Sequence, residues 1–226
     1  MVNTVANKVV NWVGSGAAGG EQVWDVVVVG AGAAGLFCAG IAGQRGLGVL
    51  LIDHSERVAE KIRISGGGRC NFTNRDTTPA QFSGANPDFC RSALARYTAA
   101  DFIALVQRHG IAFHEKHRGQ LFCDGSAEQI IAMLLAECDA GGVTRWQPCT
   151  VASVQTIGKS GTGGISGTGG TAFVLDTDRG VVQARQLVVA SGGLSIPKIG
   201  ASDFGHRLAR QFGHRIVEPQ IGRAHV

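Results

Sequence analysis

Apolar and polar positions follow two rhythms along this chain, and the change from one to the other marks its elements. Residues 26–29 are an unbroken run of valine, the pattern of a strand buried on both faces of a parallel sheet. Small and apolar residues then recur at helical spacing over 33–45 and stop near Gly46, which predicts a helix with a glycine exit. A second apolar run over 48–52 closes on Asp53. Strand, helix and strand make a βαβ unit.

The rhythm weakens over 55–90, where Gly, Asn, Thr and Pro are frequent, and this stretch reads as mostly loop. Thr98 is placed to cap a helix running through His109 and stopped by Gly110. Ser126 with Gln129 forms a capping-box pattern that opens a helix to about Ala140. Residues 150–186 turn to strands, with 171–176 and 181–184 flanking a hairpin turn at 177–180. Residues 187–190 read as a further, separate buried strand running into Ser191-Gly192-Gly193, and Asp203 as the cap of a last helix over 204–212. The Gly/Thr/Ser tract at 158–170 is a low-complexity loop, lacking the Gly-Lys-Ser/Thr ending of a phosphate loop.

Composition changes the picture in three ways. The formal charge of +4 is scattered, with no Lys/Arg block, so the basic residues imply a solvated face with a few anion-binding positions, and nucleic acid is not expected as a partner. Cys38, Cys70, Cys90, Cys123, Cys138 and Cys149 include no CxxC pair and no histidine at zinc spacing; they read as reduced thiols in a cytoplasmic protein without a metal site. No apolar stretch is long enough to cross a bilayer, so no membrane association is expected. Residues 1–22 lack the apolar run of a signal peptide and are expected to be a disordered extension.

The chemistry begins at Gly30-Ala-Gly32-Ala33-Ala34-Gly35, a G-x-G-x-x-G fingerprint between the two strands. Gly30 permits the tight strand-to-helix turn, Gly32 lets a pyrophosphate approach the backbone, and Gly35 allows helix and strand to pack closely. The helix N-terminus offers its unpaired N–H groups to the phosphates. Asp53, followed by His54, stands where a carboxylate accepts hydrogen bonds from a ribose diol, and an acid there disfavours a 2′-phosphate. The late strand ending in Ser191-Gly192-Gly193 returns the chain to the same place, resembling the Ala-Thr-Gly signature of FAD domains of the glutathione-reductase type.

A second run is more specific: Lys61-Ile-Arg-Ile-Ser65-Gly66-Gly67-Gly-Arg69-Cys70-Asn71-Phe-Thr-Asn74. With Gly119-Gln-Leu-Phe122, Gly192-Gly-Leu-Ser-Ile-Pro197 and Gly200-Ala-Ser-Asp-Phe-Gly205 in order, it resembles a bacterial NAD(P)/FAD-dependent oxidoreductase family. That family includes aminoacetone oxidase-like proteins and dehydro-bile-acid reductases. The resemblance implies an α/β fold: a three-layer FAD/NAD(P)-binding Rossmann-like domain with a central parallel sheet and an antiparallel β-meander, cut off before an inserted domain. It also implies FAD as the cofactor, NAD(P)H as a candidate electron donor and a small organic molecule as substrate.

By the same resemblance, Gly30, Gly32, Ala33, Ala34 and Gly35 carry the pyrophosphate and Asp53, with His54 beside it, the adenosine ribose. Lys61, Ser65, Gly66, Gly67, Arg69 and Asn71 run toward the flavin, Val151 offers backbone groups to adenine, and Gly192 and Gly193 pass close to the cofactor. Surface ion pairing for Lys61 and Arg69, turn capping for Asn71 and simple packing for Cys70 remain open as bland readings. No catalytic acid or base stands out. An NAD-linked dehydrogenase, a binding module without turnover and, from the basic pI alone, an RNA-modifying flavoprotein are the alternatives.

The expected FAD-binding portion spans 23–219. Ile-Gly-Arg-Ala-His-Val at 221–226 is also what a common sequencing-adapter string encodes, so 220–226 is expected to be a non-native tail.

Overall fold

The computed structural model describes residues 22–84, 86–156, 173–196 and 200–217. The expectations for 1–21, for the 158–170 tract and for the 220–226 tail lie outside them. In chain order the strands are β1 (Val23–Val29), β2 (Val49–Ile52), β3 (Asn71–Asn74), β4 (Phe113–Glu115), β5 (Gln120–Cys123), β6 (Thr144–Trp146), β7 (Val151–Thr156), β8 (Phe173–Thr177) and β9 (Gly180–Val189). The helices are α1 (Ala33–Gln44), α2 (Glu60–Ile64), α3 (Arg91–Arg96), α4 (Ala99–Arg108), α5 (Ala127–Ala140) and α6 (Phe204–Gln211).

A six-stranded sheet runs in the order β6-β2-β1-β9-β8-β7. β6, β2, β1 and β9 are parallel, while β9, β8 and β7 form an antiparallel meander. The valine run therefore sits at the centre: Val27 and Val28 are fully buried, and their side chains enter opposite cores. Val28, Leu51 and Leu36 join α4 and α5 on one face. Val27, Leu50 and Ile52 meet the inner residues of the meander, together with Leu208 of α6, on the other. A smaller antiparallel sheet, β3-β5-β4, stands apart from the main one. This is a Rossmann-like α/β fold with a mixed sheet.

One expectation needs correction. The strands expected at 181–184 and 187–190 are one continuous strand, β9, which pairs with β8 through its first half and with β1 through Gln183 to Val189. Arg185 and Gln186, the polar residues between the two expected strands, are exposed along it, and Arg185 pairs with Asp25. The stretch 55–90 is mostly loop, as expected, with short elements set into it. It holds α2, a 3₁₀ turn at Ser65–Gly68 and β3, short elements ordered by tertiary contacts that leave little periodic signal.

Candidate functional site

β1, β2 and β9 end side by side. The Gly30 amide donates to the Ile52 carbonyl at 2.7 Å and the Ala190 amide to the Val29 carbonyl at 2.8 Å. Their carboxyl ends thus meet where the strand order reverses around β1, the place where open α/β sheets bind ligands.

The fingerprint glycines divide the work between packing and vacancy. Gly30 has φ +108°, and a Cβ built there would stand 2.4 Å from the Ala190 carbonyl oxygen. One at Gly35 would stand 1.7 Å from the carbonyl oxygen of Gly30. Gly32 differs: nothing lies within 4 Å of its Cβ position. It is the N-cap of α1, and neither a capping side chain nor an acid in the first turn satisfies the first amides of that helix. Ala33 and Ala34 are exposed and small. An uncapped helix N-terminus facing open space is a site for an anion.

Asp53 closes the turn from the β2 side. One carboxylate oxygen accepts the Ala31 amide at 2.5 Å and the other the Ser55 amide at 2.8 Å. A carboxylate has about four acceptor positions, so roughly two remain for hydroxyl donors. His54 stands 3.8 Å from Asp53 and packs beneath Gly200, whose Cβ position is 2.8 Å from the imidazole Nε2.

These residues open into a cavity of about 690 Å³. Of the candidates from sequence, Gly30, Gly32, Ala33, Ala34, Asp53, His54, Lys61, Ser65, Asn71, Gly192 and Gly193 line it. Lys61 joins two parts of the lining, donating from Nζ to Ser195 Oγ at 2.6 Å across 134 residues of sequence. Ser191 also lines it, and its buried hydroxyl has no hydrogen-bond partner among the described residues.

Gly35, Gly66, Gly67, Arg69 and Val151 do not line this cavity. Gly35 is consumed by packing. Gly66 lies against the Phe122 ring, 2.7 Å from its own Cβ position, so the glycine loop leans on the small sheet. Val151 lines a smaller pocket of about 240 Å³ that shares Gly30, Asp53, His54, Ser191 and Gly200 with the large one. Asn71 lines the cavity; with its side-chain amide turned so that the nitrogen faces the Leu121 and Thr73 carbonyls, it would donate to both and brace a bulge in β3. Cys70 is buried with φ +49°, and burial pushes its thiol pKa up. That is the environment of a packed thiol.

The far wall of the cavity escaped the sequence reading. Phe37, Phe72, Tyr97 and Phe102 form it. Phe37 makes edge contacts with Tyr97 at 4.9 Å and Phe102 at 6.2 Å between ring centroids. One signal was available: Phe37 follows Ala33 by four residues, so both lie on one face of α1. The others come from separate elements whose meeting no local pattern announces.

Among the described residues no helix is long and apolar enough to cross a membrane. Residues 24–225 match the HI0933-like protein Rossmann domain. A relative named ribosomal RNA dihydrouridine synthase, from Escherichia coli K12, is 49% identical over 199 residues, covering 88% of this chain and 47% of that protein. The 3-dehydro-bile acid delta(4,6)-reductase of Clostridium scindens is 26% identical, over 84% of this chain and 44% of the reductase. The chain thus spans about half the length of the relatives it matches. Among solved structures, that of Thermovibrio ammonificans THI4 superposes with a TM-score of 0.51 at 14% identity, over 85% of this chain and 64% of that one.

Proposed function

The chain belongs to the HI0933-like Rossmann-domain family, and from that premise we propose that it is the FAD-binding portion, spanning 23–219, of a flavin-dependent oxidoreductase that reduces uridine in ribosomal RNA. The observation that supports FAD is the uncapped N-terminus of α1, open at Gly32 onto a cavity too long for a phosphate alone. The support for RNA is the 49% identity to a protein named ribosomal RNA dihydrouridine synthase. This reading departs from the small-molecule substrate that the resemblance implies, and from the expectation, drawn from scattered charge, that nucleic acid is not a partner. Charge dispersal weighs little against 49% identity over most of the chain.

The residues present fit the cofactor. Amides at the start of α1 hold the diphosphate, with Ala33 and Ala34 keeping side chains out of its way. The remaining acceptor positions of Asp53 take the ribose diol, and Val151 borders the adenine pocket. Gly192 and Gly193, each with no atom within 4 Å of its Cβ position, leave room for the cofactor's length. The Lys61–Ser195 contact joins two parts of the lining beside it, and the aromatic wall keeps water from the inner end. Bound flavin supplies a hydride, which together with a proton makes up the two-electron reduction of a pyrimidine double bond, and NAD(P)H is the proposed external donor.

Nucleoside mass spectrometry of ribosomal RNA from cells with and without the gene tests the reading. Dihydrouridine that disappears on deletion and returns with the gene supports it; dihydrouridine unchanged by deletion refutes it. The second reading, reduction of a small apolar enone, is favoured by the resemblance to the bile-acid reductase and by the aromatic wall. It predicts turnover of a steroid enone with no change in the RNA.

A further inference from the structure

Deepening the RNA reading, and resting on it, we infer that the exposed surface around Phe122 of the small sheet carries an RNA phosphate-contacting surface made by Lys116, Arg118 and Arg69. These three side chains are exposed, and among the described residues none has a carboxylate partner. Near the site, Arg57 and Arg63 pair with Glu60 and Glu128, Arg75 pairs with Glu115 at 2.8 Å, and Lys61 donates to the Ser195 hydroxyl. Of the acids of the small sheet, Glu115 is matched by Arg75, while Asp124 contacts the His114 imidazole at 2.7 Å, an ion pair only when that ring is protonated. Asp76, exposed after β3, has no cation partner among the described residues. Three cations without acid partners against Asp76 and Asp124 leave this surface net positive.

Phe122 supports two of them. Lys116 Nζ sits 4.0 Å from the centroid of the Phe122 ring. The same ring meets the Cβ position of Gly66, and the Arg69 carbonyl accepts the Cys123 amide at 3.0 Å. Lys116 and the glycine loop leading to Arg69 are therefore anchored on one ring. Arg118 occupies the left-handed region at φ +61° in the turn before β5, a conformation unfavourable for a non-glycine residue. The carbonyl of the next residue, Gly119, accepts the Arg75 amide at 2.8 Å.

This surface also adjoins the cavity. β5 pairs with β3, whose Asn71, Phe72 and Thr73 line that cavity. A polyanion seated on Lys116, Arg118 and Arg69 would pass beside the opening into which a base must enter. Ammonium and guanidinium groups without protein acids to neutralise them are the chemistry that phosphate backbones recognise.

The test uses the full-length polypeptide encoded at this locus, loaded with FAD, and deproteinised ribosomal RNA as probe, with retention measured against KCl concentration. Lys116→Gln with Arg118→Asn is expected to weaken binding at least about tenfold and to lower the slope of log K against log salt by about two. Asn is chosen because it tolerates the left-handed conformation. Lys116→Arg should restore most of the slope, which a merely structural lysine would not do, and thermal melting identifies any misfolded variant. Unchanged affinity and slope in a folded double variant, with wild-type binding intact, overturns this surface and leaves the RNA reading standing. A wild-type protein that neither retains the RNA nor reduces its uridine overturns both.

Discussion

At the scale of single residues, the fingerprint was legible because each glycine answers a steric demand that sequence spacing already states. The structure adds which demand falls on which glycine. Gly30 and Gly35 are filled by backbone, whereas Gly32 faces open space, so stability and cofactor affinity should separate. Gly30→Ala must place a methyl 2.4 Å from a carbonyl oxygen at φ +108°, and a loss of at least about 3 kcal/mol is expected in thermal or denaturant unfolding. Gly32→Ala, at φ −82°, should leave the melting temperature of the FAD-free protein within about 1 °C and lower FAD affinity at least about tenfold. Equal destabilisation by both changes would contradict the assignment of Gly32 to the phosphate. Asp53 was equally legible. Arg69 was not: its neighbours in sequence point toward a cofactor, while its place beside the small sheet, off the cavity wall, follows from Gly66 resting on Phe122.

At the scale of elements, the long periodic segments declared themselves. α1, α4 and α5 end within a residue or two of the expected limits because caps and exit glycines fix them locally. The short strands β3 to β6 did not, since three or four residues paired to distant partners carry almost no periodic signal. Nor did the glycine content of α1 reveal its second use. A Cβ at Gly43 would stand 2.4 Å from the Gly141 carbonyl oxygen, and one at Gly40 would stand 3.2 Å from the Glu137 backbone. α1 and α5 therefore approach almost backbone to backbone. Gln44 bridges them by donating to Glu137 at 2.7 Å, and His109 contacts the same carboxylate at 2.6 Å. The Gln44 and His109 hydrogen bonds hold the Glu137 pKa below the ordinary carboxylate value. Gly43→Ala should cost about 1–3 kcal/mol in equilibrium unfolding. An unchanged midpoint would show that the helices can part without penalty.

At the scale of the whole molecule, the cavity draws its wall from residues between Gly30 and Ala201. Its polar end was readable, since one contiguous motif and one acid build it. Its aromatic end was not, because Phe37, Phe72, Tyr97 and Phe102 belong to different elements and meet only when α4 and the small sheet pack beside α1. The same packing sets the unmatched cations of the small sheet beside the opening. The central claim is that this cavity is shaped for FAD, and the most direct measurement is chromatographic quantification of the nucleotide released from the purified full-length polypeptide by heat. About one FAD per chain, retained through gel filtration and sharply reduced by Gly32→Ala, is the predicted result. Released NAD, or no nucleotide together with no change in the flavin spectrum on adding FAD to the folded protein, would contradict it.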